Sequence, residues 1–409
     1  IRDLTGLSYG DYWFFEIRSL GGAIIMMSLV LYPYVYLMAR AAFLEQSVSS
    51  IEVGCSLGYS RWQALWKLAL PMARPAIIAG LSLALMETLA DYGTVQYYGV
   101  STFTTGIFRT FYGYGDTAAA AQLAASLLAF VILLVLLERY SRRRARYHSA
   151  AESRARADLI PLSGSKAIMA CVICLSPLMF GFIIPATQLL FWAVFEAELL
   201  GWDFVGLAWN SFSLAFLAAI IAVILAIILS YAKRTKPIKP VRIVLAMAGF
   251  GYALPGTIIA IGVLIPLAWL DHRLIDIFGS WGWDSPGLLL SGSLVALLFA
   301  YTVRFLAVAI GSVQSGLEKV KPSLDQAGRS MGHSPLDILR KIHVPLMRSS
   351  ILTAVLIVFV DVLKELPATL ILRPFNFNTM AVRAYELASD ERLVDAAPAS
   401  IMIVLVGLI

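Results

Sequence analysis

Four acidic residues form two matched pairs inside segments that are otherwise apolar. Glu87 and Asp91 are the first pair, and Asp361 and Glu365, much further along the chain, are the second pair with the same spacing. Residues four apart share one face of a helix, so each pair points in one direction. Carboxylate oxygens, and the phenol oxygens of tyrosines, suit hard cations. The neighbouring side chains that could add such polar groups are Tyr92, Gln96 and Tyr97.

Two interpretations of these acids stay open. In the first, the acids line a polar path across a membrane, near one end of equivalent helices in two halves of the protein. In the second, they pair with basic side chains, for instance Lys364 with Glu87 or Asp91, and hold the two halves together. A charge at the centre of a membrane helix costs about 2.5–3.5 kcal/mol on insertion scales, so such residues usually face a cavity or a partner.

The segments that carry the acids are typical of a membrane protein. Hydrophobic residues make up 59% of the 409 residues and charged residues only 14%, whereas a soluble domain contains about 45–50% and about 25%. A membrane-crossing helix needs about 20 mainly apolar residues. On this basis we expect nine spans, at 20–42, 74–96, 117–137, 167–192, 210–231, 243–269, 287–310, 349–370 and 394–409.

Lysine and arginine are concentrated in alternate loops between these spans. The loops 43–74, 139–166, 233–242 and 317–348 hold 22 of them, and the opposite loops hold 5. Because positively charged loops stay on the cytoplasmic side, the first set is predicted to be cytoplasmic. The arginine-rich stretch Glu138–Ser165 is interpreted as a solvated linker that touches anionic lipid head groups, since it shows no folded platform on which nucleic-acid bases could stack.

One cytoplasmic segment occurs twice. Ser56–Pro75 reads SLGYSRWQALWKLALPMARP, and Ser330–Ser349 reads SMGHSPLDILRKIHVPLMRS. The two align without a gap, and the offset that aligns them also places the two acidic pairs on each other. An even number of span steps separates the copies, which predicts two parallel halves and not an inverted repeat. Seven residues are identical in the two copies. In the numbering of the first copy they are Ser56, Gly58, Ser60, Leu65, Lys67, Pro71 and Arg74.

The repeat also predicts how the chain is divided. Residues 1–140 are expected to be the C-terminal part of a first repeat, 141–165 a basic cytoplasmic linker and 166–409 a second repeat. Four predicted spans precede the duplicated segment in the second half, but only one precedes it in the first. We therefore expect three leading spans to be absent from the first repeat, so that nine of about twelve spans of about 20 residues each are visible.

Each copy of the duplicated segment is expected to form a short helix–turn–helix. Gly58 and Gly332 can take the left-handed backbone conformation that ends one helix and lets the next one leave at an angle. Pro71 and Pro345 suit the start of the following spanning helix, where a missing N–H costs little.

The spacing of this segment resembles the EAA loop, E-A-A-x3-G-x9-I-x-L-P, of permease subunits of binding-protein-dependent ABC importers. The resemblance implies that each loop docks into one of two ATPase subunits. The chain reads EVG at 52–54 and QAG at 326–328 in place of E-A-A, so the acidic residue is present only in the first copy. The positions to which the resemblance assigns a coupling role are Glu52, Gly58, Leu65, Pro71, Gln326, Gly332, Leu339 and Pro345.

A wider resemblance covers nearly the whole chain. The stretches Ala90–Ala124 and Lys364–Leu393 resemble the fused two-domain permeases of ferric-iron importers. This implies an all-α polytopic protein of the bacterial inner membrane, with two parallel repeats of the type I importer permease (MetI-like) architecture. Permeases for thiamine, sulfate and polyamines share this plan and remain alternatives. The residues expected on a path for iron are Glu87, Asp91, Tyr92, Tyr97, Asp361 and Glu365.

The chain carries no motif for chemistry of its own. It has no G-x-x-x-x-G-K-[ST] phosphate loop, so we expect a transport subunit and not an enzyme, with no cofactor or metal bound. The resemblance implies ATP and Mg²⁺ on two partner ATPase subunits and a periplasmic substrate-binding protein as a further partner. An ion-coupled secondary carrier is the alternative class, but it has no use for the paired loops. The four histidines, His148, His272, His333 and His343, are interpreted as surface or packing residues.

Overall fold

Every regular element that the computed structural model describes is a helix, which confirms the all-α prediction. The predicted linker, residues 141–165, falls mostly outside the described part of the chain, so the division there stays a prediction. The described residues are 16–45, 49–143, 162–197, 202–285 and 287–408.

The first half of the chain forms six helices within the described residues. Helix α3 contains a π-helical turn at Leu65–Ala69 and runs on without interruption into an apolar span. The helices are α1 (Leu20–Glu45), α2 (Ser49–Ser56), α3 (Arg61–Ala90), α4 (Gly93–Tyr97), α5 (Phe103–Phe108) and α6 (Thr117–Arg143).

The second half begins with four helices that have no counterpart among the described residues of the first. These are α7 (Ser165–Glu196), α8 (Trp202–Thr235), α9 (Lys239–Ala248) and α10 (Gly256–Ser280). The rest are α11 (Leu294–Glu318), α12 (Pro322–Ser330), α13 (Pro335–Leu346), α14 (Arg348–Leu363), α15 (Pro367–Leu372), α16 (Met380–Ser389) and α17 (Leu393–Gly407).

Helix boundaries repeat at the offset seen in the sequence. The first residues of α1 and α11 are related by the same offset as Gly58 and Gly332, and so are those of α3 and α13, and of α4 and α15. The copies differ at one point, because α13 and α14 are bent by 77° around Met347, whereas α3 is continuous. The predicted parallel repeat is therefore present as a repeat of whole helices.

Seven of the described helices are long and apolar enough to cross a membrane, or eight if the bent pair α13–α14 is one span. This confirms a polytopic membrane protein but not the count of nine. The ninth predicted span, 394–409, coincides with α17, which has only 15 residues, fewer than the roughly 20 that a membrane crossing needs.

The predicted span 243–269 is wrong in position. The chain is interrupted between α9 and α10, where Gly251 packs so closely that a Cβ there would lie 1.9 Å from the carbonyl oxygen of Val303. Helix α10 then continues past the predicted end at 269 and past Asp271 to Ser280. Asp271 is fully buried because its carboxylate accepts hydrogen bonds from the backbone N–H groups of Leu290 and Ser291, at 2.9 and 2.7 Å.

The core of the second half is formed by α8, α11 and α14, which pack against one another. Helix α8 buries a stripe of small side chains, which lets the neighbouring helix backbones approach closely. The members of the stripe, each at most 1% exposed, are Ala215, Ala218, Ala219, Ala222 and Ala226.

Candidate functional site

A cavity of about 620 Å³ lies between the two halves, at the C-terminal ends of α3 and α14. These are the ends opposite to the duplicated loops. All six residues predicted for a substrate path line this cavity, although Gln96 does not. The polar and charged side chains of its wall are Glu87, Asp91, Tyr92, Thr94, Tyr97, Tyr98, Tyr252, Arg304, Asp361, Lys364, Glu365, Tyr385, Ser389 and Ser400.

Asp91 is held in place by the short helix that follows it. Its carboxylate accepts hydrogen bonds from the backbone N–H of Val95 and from the hydroxyl of Thr94, both at 3.0 Å. Its carbonyl oxygen accepts a hydrogen bond from the Thr104 hydroxyl at 2.7 Å. The span α3 therefore ends at Ala90, earlier than the predicted 96, because Asp91 caps α4.

Glu365 takes the equivalent position in the second half and has an additional partner. Its carboxylate accepts a hydrogen bond from the backbone N–H of Ala368 at 3.1 Å, which caps α15 and ends the predicted span 349–370 at Leu363. Arg304 lies on the other side, with one guanidinium nitrogen 3.1 and 3.0 Å from the two carboxylate oxygens. Arg304 is 8% exposed and Glu365 5%, so this ion pair is buried.

Gly256 makes room for that ion pair. A Cβ at this residue would lie 2.3 Å from both the Arg304 guanidinium and the Glu365 carboxylate. Gly256 is the first residue of α10 and follows directly on the interruption after α9. The interruption thus positions a buried ion pair on the wall of the cavity.

Lys364 forms an ion pair with Asp361, three residues earlier, at 3.0 Å. The sequence-based suggestion that Lys364 pairs with Glu87 or Asp91 is therefore wrong. The reason is local, because Lys364 follows directly on the last turn of α14, where an i,i+3 partner is closest. In the described part of the chain the Glu87 carboxylate has no ion pair or hydrogen bond.

Aromatic residues join the two halves at the cavity. The hydroxyl of Tyr385, on α16, donates a hydrogen bond to the hydroxyl of Tyr92 at 3.1 Å. Tyr92 is stacked on Phe108 with ring centroids 3.7 Å apart. Arg18 lies over the ring of Tyr97, 5.0 Å from its centroid. These contacts fix the rings of three tyrosines that line the cavity, Tyr92, Tyr97 and Tyr385.

Sequence reasoning missed several lining residues. Arg304 was detectable, because it is a charge inside the predicted span 287–310 and such a charge usually faces a cavity or a partner. Tyr252 lies in the interruption before α10, which the predicted span concealed. Tyr98 and Tyr385 carried no signal, since only the packing of the two halves brings them to the cavity.

The duplicated loops have the predicted helix–turn–helix form. Gly58 and Gly332 have φ angles of +86° and +81°, the left-handed region that favours glycine. The next helix starts at a capping box in both copies, Ser60 with Gln63 and Ser334 with Asp337. Each loop is thus a defined turn between two helices.

Both loops continue into a π-helical turn, at Leu65–Ala69 and at Leu339–His343. Leu65 and Leu339 begin these turns and are half-buried. Pro71 and Pro345 follow within two residues and are exposed. The expectation that both prolines start the spanning helix is wrong for Pro345, because the chain bends at Met347 and the span begins at Arg348.

A second pair of glycines, Gly54 and Gly328, explains why the third residue of the E-A-A pattern is glycine in both copies. A Cβ at Gly54 would lie 2.9 Å from the Ala64 Cβ, and a Cβ at Gly328 would lie 2.9 Å from Ile338. Ala64 and Ile338 are themselves equivalent positions in the two loops. The two helices of each loop therefore cross at a glycine. Gln326 is exposed on α12; Glu52 lies in α2, and its side chain is outside the described part.

The second loop is anchored to α8 through Asp325. Asp325 accepts hydrogen bonds from Arg234 of α8 at 2.8 Å, and lies 2.5 Å from Nε2 of His343. Arg234 also donates to the carbonyl oxygens of Leu317 and Val320. Burial alone would raise the pKa of Asp325, but the hydrogen bonds from Arg234 and His343 outweigh it and hold that pKa below its usual range.

His343 is fully buried within this anchor. The interpretation as a packing residue is confirmed for His343, but its hydrogen bond with Asp325 was not anticipated. The positions equivalent to Asp325 and His343 in the first loop are Ile51 and Ala69, which cannot form such a pair. The two loops are thus alike in backbone and different in how they are attached.

Comparison with known proteins identifies related transport components. Residues 12–147 and 230–409 match the family described as binding-protein-dependent transport system inner membrane component. The Fe(3+)-transport system permease protein FbpB 2 of Haemophilus influenzae is 26% identical over 396 residues, which are 96% of this chain and 75% of that protein.

Two further relatives cover less of their own length. The ferric transport system permease protein FbpB of Actinobacillus pleuropneumoniae is 22% identical over 90% of this chain and 53% of its own. The molybdenum transport system permease protein ModB of Haemophilus influenzae is 27% identical over 32% of this chain and 56% of its own. With its match to the family over both halves and its seven or more apolar helices, this chain belongs to the inner membrane components of binding-protein-dependent transport systems.

Proposed function

We propose that this chain forms the translocation path of an ATP-driven importer for ferric iron. The observation that carries the proposal is the cavity between the halves, whose wall, among the described residues, holds four carboxylates and two basic side chains. Carboxylate and phenol oxygens suit hard cations. Two relatives are named as permeases for ferric iron, which is a cation that such an acidic wall would attract.

The arrangement of the acids suits transient contacts with a transported cation more than a tight metal-binding site. In the described part of the chain, no three His, Cys, Asp or Glu side chains converge closely enough to hold a metal ion. A path has to release its cargo, so weak and separated contacts are an advantage. The acidic excess also argues against sulfate, which shares the sign of the carboxylates. Thiamine and polyamines are cations and stay as alternatives, favoured by the tyrosine rings of the wall.

Coupling to ATP is assigned to the two duplicated loops. Each presents a glycine turn and a capped helix on the side of the chain opposite the cavity, the side predicted to be cytoplasmic. We expect one ATPase subunit, with its own ATP and Mg²⁺, to bind at each loop, and a periplasmic binding protein to deliver iron at the cavity end. ATP hydrolysis itself is assigned to the partners and not to this chain.

Co-purification tests this assignment against the secondary-carrier alternative. The chain is expressed with the products of its neighbouring genes and isolated in mild detergent through a tag on the chain. We expect two copies of an ATPase subunit for each tagged chain, and ATPase activity in the purified fraction. A chain that is isolated alone, and that moves its substrate without ATP, would point to a carrier.

A further inference from the structure

Lys364 places a positive charge inside the cavity where the first half has none. The equivalent residue of the first half is Ala90. The Lys364 ammonium group lies 3.0 Å from Asp361, and its side chain is 46% exposed although it lines the cavity between the halves. Lys364 is thus a half-exposed cation on the wall of a cavity that carries an excess of acid.

The two basic residues of the wall differ in what they can do. Arg304 is buried, and both oxygens of the Glu365 carboxylate lie against one of its nitrogens. Glu365 in turn caps α15. Moving Arg304 would leave a buried charge without a partner, which is strongly unfavourable. Lys364 has a flexible stem, a half-exposed side chain and one ion pair among the described residues. Asp361 is itself buried, so Lys364 can leave it only when another cation takes its place.

We infer that Lys364 is a tethered counter-cation, which occupies the cation position beside Asp361 and is displaced by the cargo. This inference rests on the proposed function. An arriving cation must compete with an ammonium group that is covalently attached and always present. A trivalent ion gains about three times the Coulomb energy of a monovalent ion at the same distance. Lys364 would therefore select for highly charged cations and would help to release them afterwards.

The observed ion pairs agree with this role. With Lys364 on Asp361 and Arg304 on Glu365, each acid of the second-half wall has a basic partner, whereas Glu87 has no ion pair among the described residues. No three His, Cys, Asp or Glu side chains in the described part of the chain form a metal site. Displacement of Lys364 would free Asp361, which lies in the same cavity as Glu87.

The test measures cation binding to the purified complex of this chain with its ATPase subunits, so that the binding protein does not set the selectivity. Tb³⁺ serves as a hard trivalent probe, because its luminescence is sensitised by nearby tyrosines such as those of the cavity wall. Mg²⁺ is titrated as the competitor. The variants are Lys364→Met, the charge-balanced double variant Asp361→Asn with Lys364→Met, and Lys166→Met as a control lysine at the start of α7.

We expect Lys364→Met to lower the half-saturating Tb³⁺ concentration at least tenfold and to make Mg²⁺ a better competitor. The double variant keeps the net charge and removes Asp361 together with its partner, so its half-saturating concentration should return towards that of the wild type. Lys166→Met should have the wild-type value. A half-saturating concentration within twofold of wild type in Lys364→Met, or weaker binding, would overturn the inference. Absence of a Tb³⁺ signal in the wild-type complex would instead count against the cavity as a cation path.

Discussion

Asp91 and Glu365 occupy equivalent positions in the two halves, and each accepts a backbone hydrogen bond from the short helix that follows it, from Val95 and Ala368 respectively. The two acids therefore have the same structural task, although only Glu365 also holds a buried arginine. The sequence left open whether the acids line a path or hold the two halves together. The contacts of Glu365 do not join the halves, because Ala368 and Arg304 both belong to the second half. Glu87 is the acid of the cavity wall that, among the described residues, makes neither a hydrogen bond nor an ion pair.

Replacing Glu365 should destabilise the protein. Glu365→Gln leaves Arg304 buried without a counter-charge, which costs about 3–5 kcal/mol, and we expect a clearly lower unfolding temperature of the purified complex. The double variant Arg304→Met with Glu365→Gln removes both charges and should recover part of the loss. An unfolding temperature equal to wild type in Glu365→Gln would show that the ion pair does not stabilise the fold.

Replacing Glu87 should affect transport and not stability. Since its carboxylate has no ion pair or hydrogen bond among the described residues, Glu87→Gln should change the free energy of unfolding by less than about 0.5 kcal/mol. Uptake of ferric iron should fall at least tenfold. Glu196→Gln, an exposed acid at the end of α7 and outside the cavity, is the matched control. Normal uptake by Glu87→Gln would remove this residue from the path.

Gly332 tests the role of the loops. Nothing lies within 4 Å of a Cβ at this position, so a substitution acts through the backbone alone. A β-branched residue at a φ of +81° costs about 1–3 kcal/mol, and Gly332→Val should separate ATP hydrolysis from transport while the spans stay folded. Gly332→Asn, which tolerates this conformation, is the control. Coupled transport at the wild-type rate in Gly332→Val would contradict a coupling role.

Acid should release the anchor of the second loop. The pKa of Asp325 is lowered in the folded protein, so its carboxylate adds stability at pH values above its unfolded pKa of about 3.9, and this stability is lost as the pH falls through the lower folded value. We expect Asp325→Asn to cost about 1.5–3 kcal/mol at pH 7. The difference from wild type should shrink below about pH 4. A difference that does not change between pH 7 and pH 3 would show that the charge of Asp325 is not involved.

The sequence predicted those features that depend on local pattern. The glycine turns at Gly58 and Gly332 followed from the repeat, and the acids of the cavity followed from their matched spacing. Helix ends were less accessible, because Asp91 and Glu365 end their spans through hydrogen bonds to the next helix and not through a loss of hydrophobicity.

Contacts between distant segments could not be predicted. The pairing of Arg304 with Glu365 depends on the close approach of α10 at Gly256, and the anchor of Asp325 on Arg234 depends on the packing of α8. Neither partner is near the other in sequence. The ion pair of Lys364 with Asp361 is different, because it is a local i,i+3 contact whose spacing is visible in the sequence.

Transport by the reconstituted complex tests the central claim most directly. The chain, its ATPase subunits and its binding protein are placed in lipid vesicles, with the binding protein on the side of the cavity and ATP on the side of the loops. The account predicts ATP-dependent accumulation of radioactive ferric iron that unlabelled thiamine, spermidine and sulfate do not reduce. Accumulation of thiamine, spermidine or sulfate without any ferric iron would contradict it.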